Sequence, residues 1–219
     1  MKRFSAFVSL IAAVVLVASP VVKADRKPFV FDRNHSQINF VAEALLITAH
    51  GFFERWDGDI QIDAGNLENS TLRIEIETAS INTRVEARDN DLRSARFFDA
   101  QNYPKITFVS TKVKKVDDKN LLVTGDLTIR GVTKSIEAPI FVVFLRDGRG
   151  RFKGEFKINR QDFQVSGNSR MNPIEDMVTV QLDLNLLDQQ VQQQRQQQRQ
   201  QQQQQPPAPP PPQKPPQGN

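Results

Sequence analysis

The 219 residues carry 29 Lys and Arg against 25 Asp and Glu, with 38% hydrophobic residues, two His and no Cys. Without cysteine there is neither a disulfide framework nor the residue that a lipoprotein acylates. A basic excess raises the question of nucleic acid. Here, however, Lys2, Arg3 and Lys23 precede Asp25, and Arg195, Arg199 and Lys214 follow Asp188, so the part between carries 23 basic residues against 25 acids and nucleic-acid binding is discounted.

The chain opens with Lys2 and Arg3, runs uncharged and largely apolar from Phe4 to Val17, and reaches "VVKAD" with small residues at Val22 and Ala24. This pattern predicts a secretory signal peptide over residues 1–24, cleaved after Ala24. The apolar run is shorter than the roughly 20 residues that span a bilayer, so no stable membrane span is expected. A periplasmic destination follows, with secretion to the medium as the alternative.

From residue 25 to 188 the apolar period is two. "SQINFVAEALLI", "GDIQID" and "TLRIEIET" are the first strands, the last turning Leu72, Ile74 and Ile76 to one face. Then "EARDNDLRSARFF" is the one helical window, with acids at its start, arginines at its end, and Leu92 and Ala95 to Phe98 available to a single face. "NLLVTGDLTIRG", "SIEAPIFVVFL" and "RFKGEFKINR" continue the strands between Gly, Asp and Asn turn signals. "VTVQLDLNLL" closes the series, alternating from Val178 to Leu186.

Beyond Asp188 the composition is Gln, then Pro, too poor in apolar groups to offset the entropy of ordering. Residues 189–219 are expected to be a disordered tail, although the spacing of Val191, Arg195 and Arg199 would permit a short helix. Its role is a spacer, a docking arm for a protein partner, or a solvated extension.

About 160 residues suffice for one domain with a sizeable core. One-sided antiparallel strands must bury one face and protect their edges, which a barrel of about eight strands or a two-sheet sandwich does. Periodicity alone leaves both open. The series "HSQINF", "GFFERWDGDI", "SINTRVEARDNDLRSARFFDAQNYPKITF", "GDLTIRGVTKSI" and "FKINRQDF" resembles the YceI-like family of bacterial periplasmic proteins across roughly Pro28 to Leu187. The resemblance implies an all-β, lipocalin-like antiparallel β-barrel of about eight strands with one short helical segment. It also implies a polyisoprenoid, isoprenoid quinone or similar long amphiphile held inside. Two positions depart from the family pattern: Ala44 where many relatives carry His, and Gln164 where the last motif usually has Gly.

On that reading Phe97 and Phe98 form part of the lining or lid of an apolar channel, while Asp89, Arg93 and Arg96 stay in water. Phe40, Phe53, Phe108, Ile129, Phe141 and Phe144 are placed on or near the inner surface, where core packing and ligand contact use the same residue types. No catalytic residue, metal ligand or cofactor other than the bound lipid or quinone is expected. His35 is read as a structural hydrogen-bonding residue, Asp89 and Asp91 as solvated helix-start acids, and Arg160 with Asp162 as a structural ion pair. The carrier stands against two alternatives, a non-catalytic interaction module that docks through its tail and an enzyme acting on a small amphiphile. Monomer and dimer are both compatible with the sequence.

Overall fold

Alternation of apolar and polar residues becomes a continuous wall. A computed structural model describes residues 25–204. Its strands are β1 (Lys27–Phe31), β2 (Gln37–Ala44), β3 (Thr48–Phe53), β4 (Trp56–Ile62), β5 (Thr71–Glu77), β6 (Ile81–Asn82), β7 (Lys105–Lys115), β8 (Asn120–Ile129), β9 (Val132–Arg146), β10 (Arg149–Asn159) and β11 (Ile174–Asp188). Helix α1 (Glu86–Arg93) lies between β6 and β7, and helix α2 (Gln189–Gln204) follows β11.

All neighbouring strands pair antiparallel. β1 and β2 both pair with β11, and they pair in turn with β4 and β3, so each of these couples is one long strand with a break. β5 and β6 are likewise two halves, interrupted at Thr78–Ser80. Counted this way the described residues make eight passes, and the β1–β11 pairing closes them into a barrel that leaves no free edge at the closure. Closure decides between the barrel and the sandwich that periodicity had left open.

Two expectations need correction. The helical window ends early: α1 stops at Arg93, the Ser94 backbone turns extended, and Phe97 and Phe98 sit in the tight turns that follow, where the Phe98 amide donates to the Leu92 carbonyl at 3.0 Å. The chain expected to be disordered from Gln189 is helical as far as Gln204. Asp188 is buried, and its Oδ1 accepts from the amides of Gln190 (2.8 Å) and Val191 (3.3 Å), an N-cap that launches a run of good helix formers. Val191 then packs on Gly148, where a Cβ would come within 2.8 Å of Val191 Cγ2. Residues 205–219, and the segment expected to be a signal peptide, lie outside the described residues.

Part of the interior is filled. Phe31 and Trp56 meet edge to face with ring centroids 5.1 Å apart, and the Arg33 guanidinium covers Trp56 at 4.5 Å. The rest is open.

Candidate ligand cavity and its mouth

Inside the barrel runs a cavity of about 720 Å³ whose walls are almost wholly apolar. Along β11 it is lined in turn by Ile174, Val178, Val180, Leu182, Leu184 and Leu186, so it follows the barrel from one end to the other. It stays open because small residues face large ones. Phe40 is paired across the sheet with Gly51, and a Cβ on Gly51 would lie 2.2 Å from Phe40 Cζ. Phe108 lies against Gly125, where a Cβ would be 2.4 Å from its Cζ. Each ring thus rests against bare backbone along the wall rather than across the lumen.

Six of the eight predicted site residues line this cavity: Phe40, Phe53, Phe97, Phe98, Phe108 and Ile129. Phe40, Phe53 and Phe98 form a string of rings, with centroids 5.8 Å apart for the first pair and 6.5 Å for the second. Phe97 is buried and presses on Gly167, where a Cβ would fall 2.6 Å from the ring, whereas Phe98 is half-buried. The two adjacent phenylalanines therefore differ in role: Phe97 locks a loop and Phe98 extends the aromatic wall.

Phe141 and Phe144 are corrections, since neither lines the cavity. On β9 the even positions Ile136, Ala138 and Ile140 face inward, so odd-numbered Phe141 points out, 41% exposed and paired with Lys153. Phe144 would follow the inward set, but a bulge at Val143 shifts the register. Phe144 pairs with outward-facing Arg151, and Leu145 takes the opposite face. What reasoning from the sequence missed is the inward row of β11 itself, although its alternation was legible.

The mouth is framed by the β2–β3 turn, α1 and the loop 164–173. Ile47 and Val85 of the lining are 47% and 46% exposed and mark where the lumen meets solvent. Polar side chains hold this frame. Asp89 is buried and its Oδ1 accepts from the Thr83 amide (2.8 Å) and Thr83 Oγ1 (2.5 Å), fastening α1 to the end of β6. Arg93 donates to the carbonyls of Ala79 (2.8 Å) and Ile81 (2.7 Å). Neither stays in water as expected; only Arg96 of that trio is exposed, bonded to Asp91 (3.1 Å) and to the Asn168 carbonyl (3.0 Å).

Arg160 departs further from its expected pairing with Asp162. Residues Arg160–Phe163 form a 3-10 turn rather than strand, which removes the shared face. The buried guanidinium donates to the carbonyls of Val165 (2.8 Å), Gly167 (3.0 Å), Ile174 (3.0 Å) and Glu175 (3.0 Å), and to Asp176 Oδ1 (3.0 Å). It is the internal brace of the mouth loop. Gln164, where the family pattern has Gly, ends this turn at φ 59, the left-handed region that glycine enters without strain. Arg130 then ties the β8–β9 turn to the Gln164 carbonyl (2.6 Å) and the Ala95 carbonyl (2.8 Å). Ala44, the other departure, lines the cavity.

The outer wall carries the strongest electrostatics. Hydrogen bonds from Lys105 (2.5 Å) and Arg73 (2.7 Å) pull Glu75 down to about 2. Asp183 is lowered chiefly by the Arg151 guanidinium. His35 Nδ1 lies 2.8 Å from Asp32 Oδ2 at the surface. Among the described residues, no three or more His, Cys, Asp or Glu are grouped to hold a metal ion.

A closed eight-stranded antiparallel barrel around a long apolar cavity defines a lipocalin-like binding architecture. The model of the YceI-like domain matches residues 29–186, and the chain belongs to the YceI-like family. Protein YceI of Escherichia coli is 35% identical over 162 residues, covering 70% of this chain and 83% of the relative. The crystal structure of Burkholderia cenocepacia BcnA superposes with a TM-score of 0.66 at 23% identity, covering 71% of this chain and 98% of that one. A polyisoprenoid binding domain from Saccharophagus degradans, implicated in plant cell wall breakdown, gives 0.59 at 18% identity, covering 73% and 98%. These last two likenesses concern the fold.

Proposed function

We propose that the protein is a non-catalytic carrier that holds a polyisoprenoid, an isoprenoid quinone or a similar long amphiphile in its barrel, and that it works in the periplasm after cleavage behind Ala24. The observation that carries the reading is the cavity of about 720 Å³ that continues from the mouth to Leu186. From Ile174 to Leu186 the lining strand covers roughly 40 Å at about 3.3 Å per residue, which a tilt of about 40° reduces to roughly 30 Å along the axis. That is about the full hydrocarbon thickness of a bilayer, twice the roughly 15 Å that one leaflet supplies. The length favours an extended isoprenoid tail over a single acyl chain. Each five-carbon unit buried contributes about 4 kcal/mol before ordering costs, so a few units suffice for tight binding without polar recognition. The polyisoprenoid-binding description of the Saccharophagus degradans domain agrees with this reading.

Organic-solvent extraction of protein purified from a periplasmic fraction, followed by mass spectrometry, should yield an isoprenoid lipid or quinone in an amount comparable to the protein. Titration with polyprenyl compounds of graded length should show affinity rising and then levelling off. An empty extract together with no binding at any length would sink the carrier reading in favour of a docking module. Amino-terminal sequencing of the same material should begin at Asp25.

A further inference from the structure

The three most exposed large hydrophobic residues of the described chain all stand at one place. Met171 is 85% exposed, Leu45 72% and Leu46 71%. Leu45 and Leu46 form the β2–β3 turn together with Ile47, and this turn is fixed rather than loose. The Ala44 amide donates to the Ile47 carbonyl (2.9 Å), the Leu45 amide to the Pro173 carbonyl (3.0 Å), and the Leu46 amide to Asn172 Oδ1 (2.8 Å). These bonds bring Met171, one residue from Asn172, beside the leucines.

The apolar tip is continuous with the lumen, because Ala44 and Ile47 on either side of the leucines line the cavity. Across the mouth Val85, 46% exposed, repeats the pattern at the start of α1. Arg88, Arg96 and Asp91 line the cavity at this end, Arg84 precedes Val85 and Arg170 precedes Met171 in the chain, and the nearby acids Glu43, Glu86, Glu175 and Asp176 adjoin the same turns and strand ends. Of these acids, Glu43 is bonded to Thr48 (2.6 Å) and Asp91 to Arg96 (3.1 Å). Water-exposed leucines on a rigid turn are costly unless something apolar covers them. What fits is a phase of the same chemistry as the lumen, edged by anions that arginines can meet.

We propose that this rim is a membrane-docking surface: Leu45, Leu46 and Met171 enter the acyl region of an anionic phospholipid bilayer, and the mouth opens against the lipid phase. The proposal deepens the carrier reading and rests on it, since a tail nearly insoluble in water then passes between bilayer and lumen without crossing solvent. Docking itself is read independently of cargo.

The test uses the mature full-length chain and vesicles of phosphatidylcholine with a minority of phosphatidylglycerol. Wild type should sediment with them, less so at high salt. The Leu45→Ser/Leu46→Ser/Met171→Ser variant should partition about tenfold or more weakly. Its affinity for a dansyl-labelled polyprenol added from ethanol should be unchanged. If the triple variant melts early, Leu46→Ser alone is judged by the same criterion. Wild type that ignores vesicles, or a variant that sediments equally well, overturns the proposal. So does a concentration-dependent dimer that the same substitutions disperse without any vesicle binding, since a second copy would then cover the rim. Failure of wild type to bind the polyprenol while it still sediments removes the carrier reading and leaves docking in place.

Discussion

Replacing Gly51 with Ala isolates what keeps the lumen open. The new methyl group would lie 2.2, 2.5 and 2.9 Å from three atoms of the Phe40 ring, its three nearest neighbours, so the ring must yield, and the cavity is the space open to it. Overpacking of this kind costs about 1 to 3 kcal/mol. Here it is reduced by the room available and by roughly 0.4 to 1 kcal/mol from the lower entropy of the unfolded chain. The melting temperature should therefore fall by only about 2 to 6 °C.

Ligand binding should suffer more. Phe40 pairs with Val180, halfway along the lining from Ile174 to Leu186, so a ring turned inward obstructs the lumen at about mid-length. It displaces about one five-carbon unit, up to roughly 4 kcal/mol before the tail rearranges. Tails that stop short of this level should bind as before. Longer ones should lose about ten- to a hundredfold, and the plateau in the chain-length titration should come at roughly half the tail length. Adding Phe40→Leu should restore it. An unchanged plateau in stably folded Gly51→Ala, or no rescue by the double substitution, would refute the reasoning that paired Gly and Phe hold the lumen open.

Phe98→Asp should weaken polyprenol retention by about tenfold or more through a charge set in an apolar wall, while Phe141→Asp on the outer face should leave retention unchanged. Fluorescence titration and melting curves on both check this, and equal losses would refute the assigned faces. Arg160→Met should strand several carbonyls of the mouth loop and destabilise the fold by about 3 to 5 kcal/mol. Hydrogen exchange should be fastest in residues 164–175, and protection there equal to wild type would contradict the bracing role. Glu75, held at about 2 against an ordinary 4.5, contributes stability that is present above about 4.5 and fades as pH falls toward 2. Chemical denaturation should thus show Glu75→Gln less stable than wild type at neutral pH and the two converging near pH 2.

Legibility followed periodicity. Where one face is apolar and the other polar, as from Val178 to Leu186, a period of two dictates which residues point inward. The rule failed at Phe144 because a bulge is a property of two paired strands, and the run "PIFVVF" carries no local mark of it. At Phe141 the same parity points outward, opposite to Ile140. Asp89 and Arg93 looked like surface charges because partners such as Thr83, Ala79 and Ile81 approach them only in the folded chain.

By itself the sequence determined most of the strands, the apolar inner face and the family, because those rest on local alternation and on motif order, whereas β1, β3, β6 and β7 were not read from it. Tertiary structure alone decided that the sheet closes through β1 and β11, that glycines opposite phenylalanines keep side chains out of the lumen, and that Arg160 braces the mouth. Each of these depends on residues far apart in the chain meeting at a particular register, and no short-range pattern encodes such a distance.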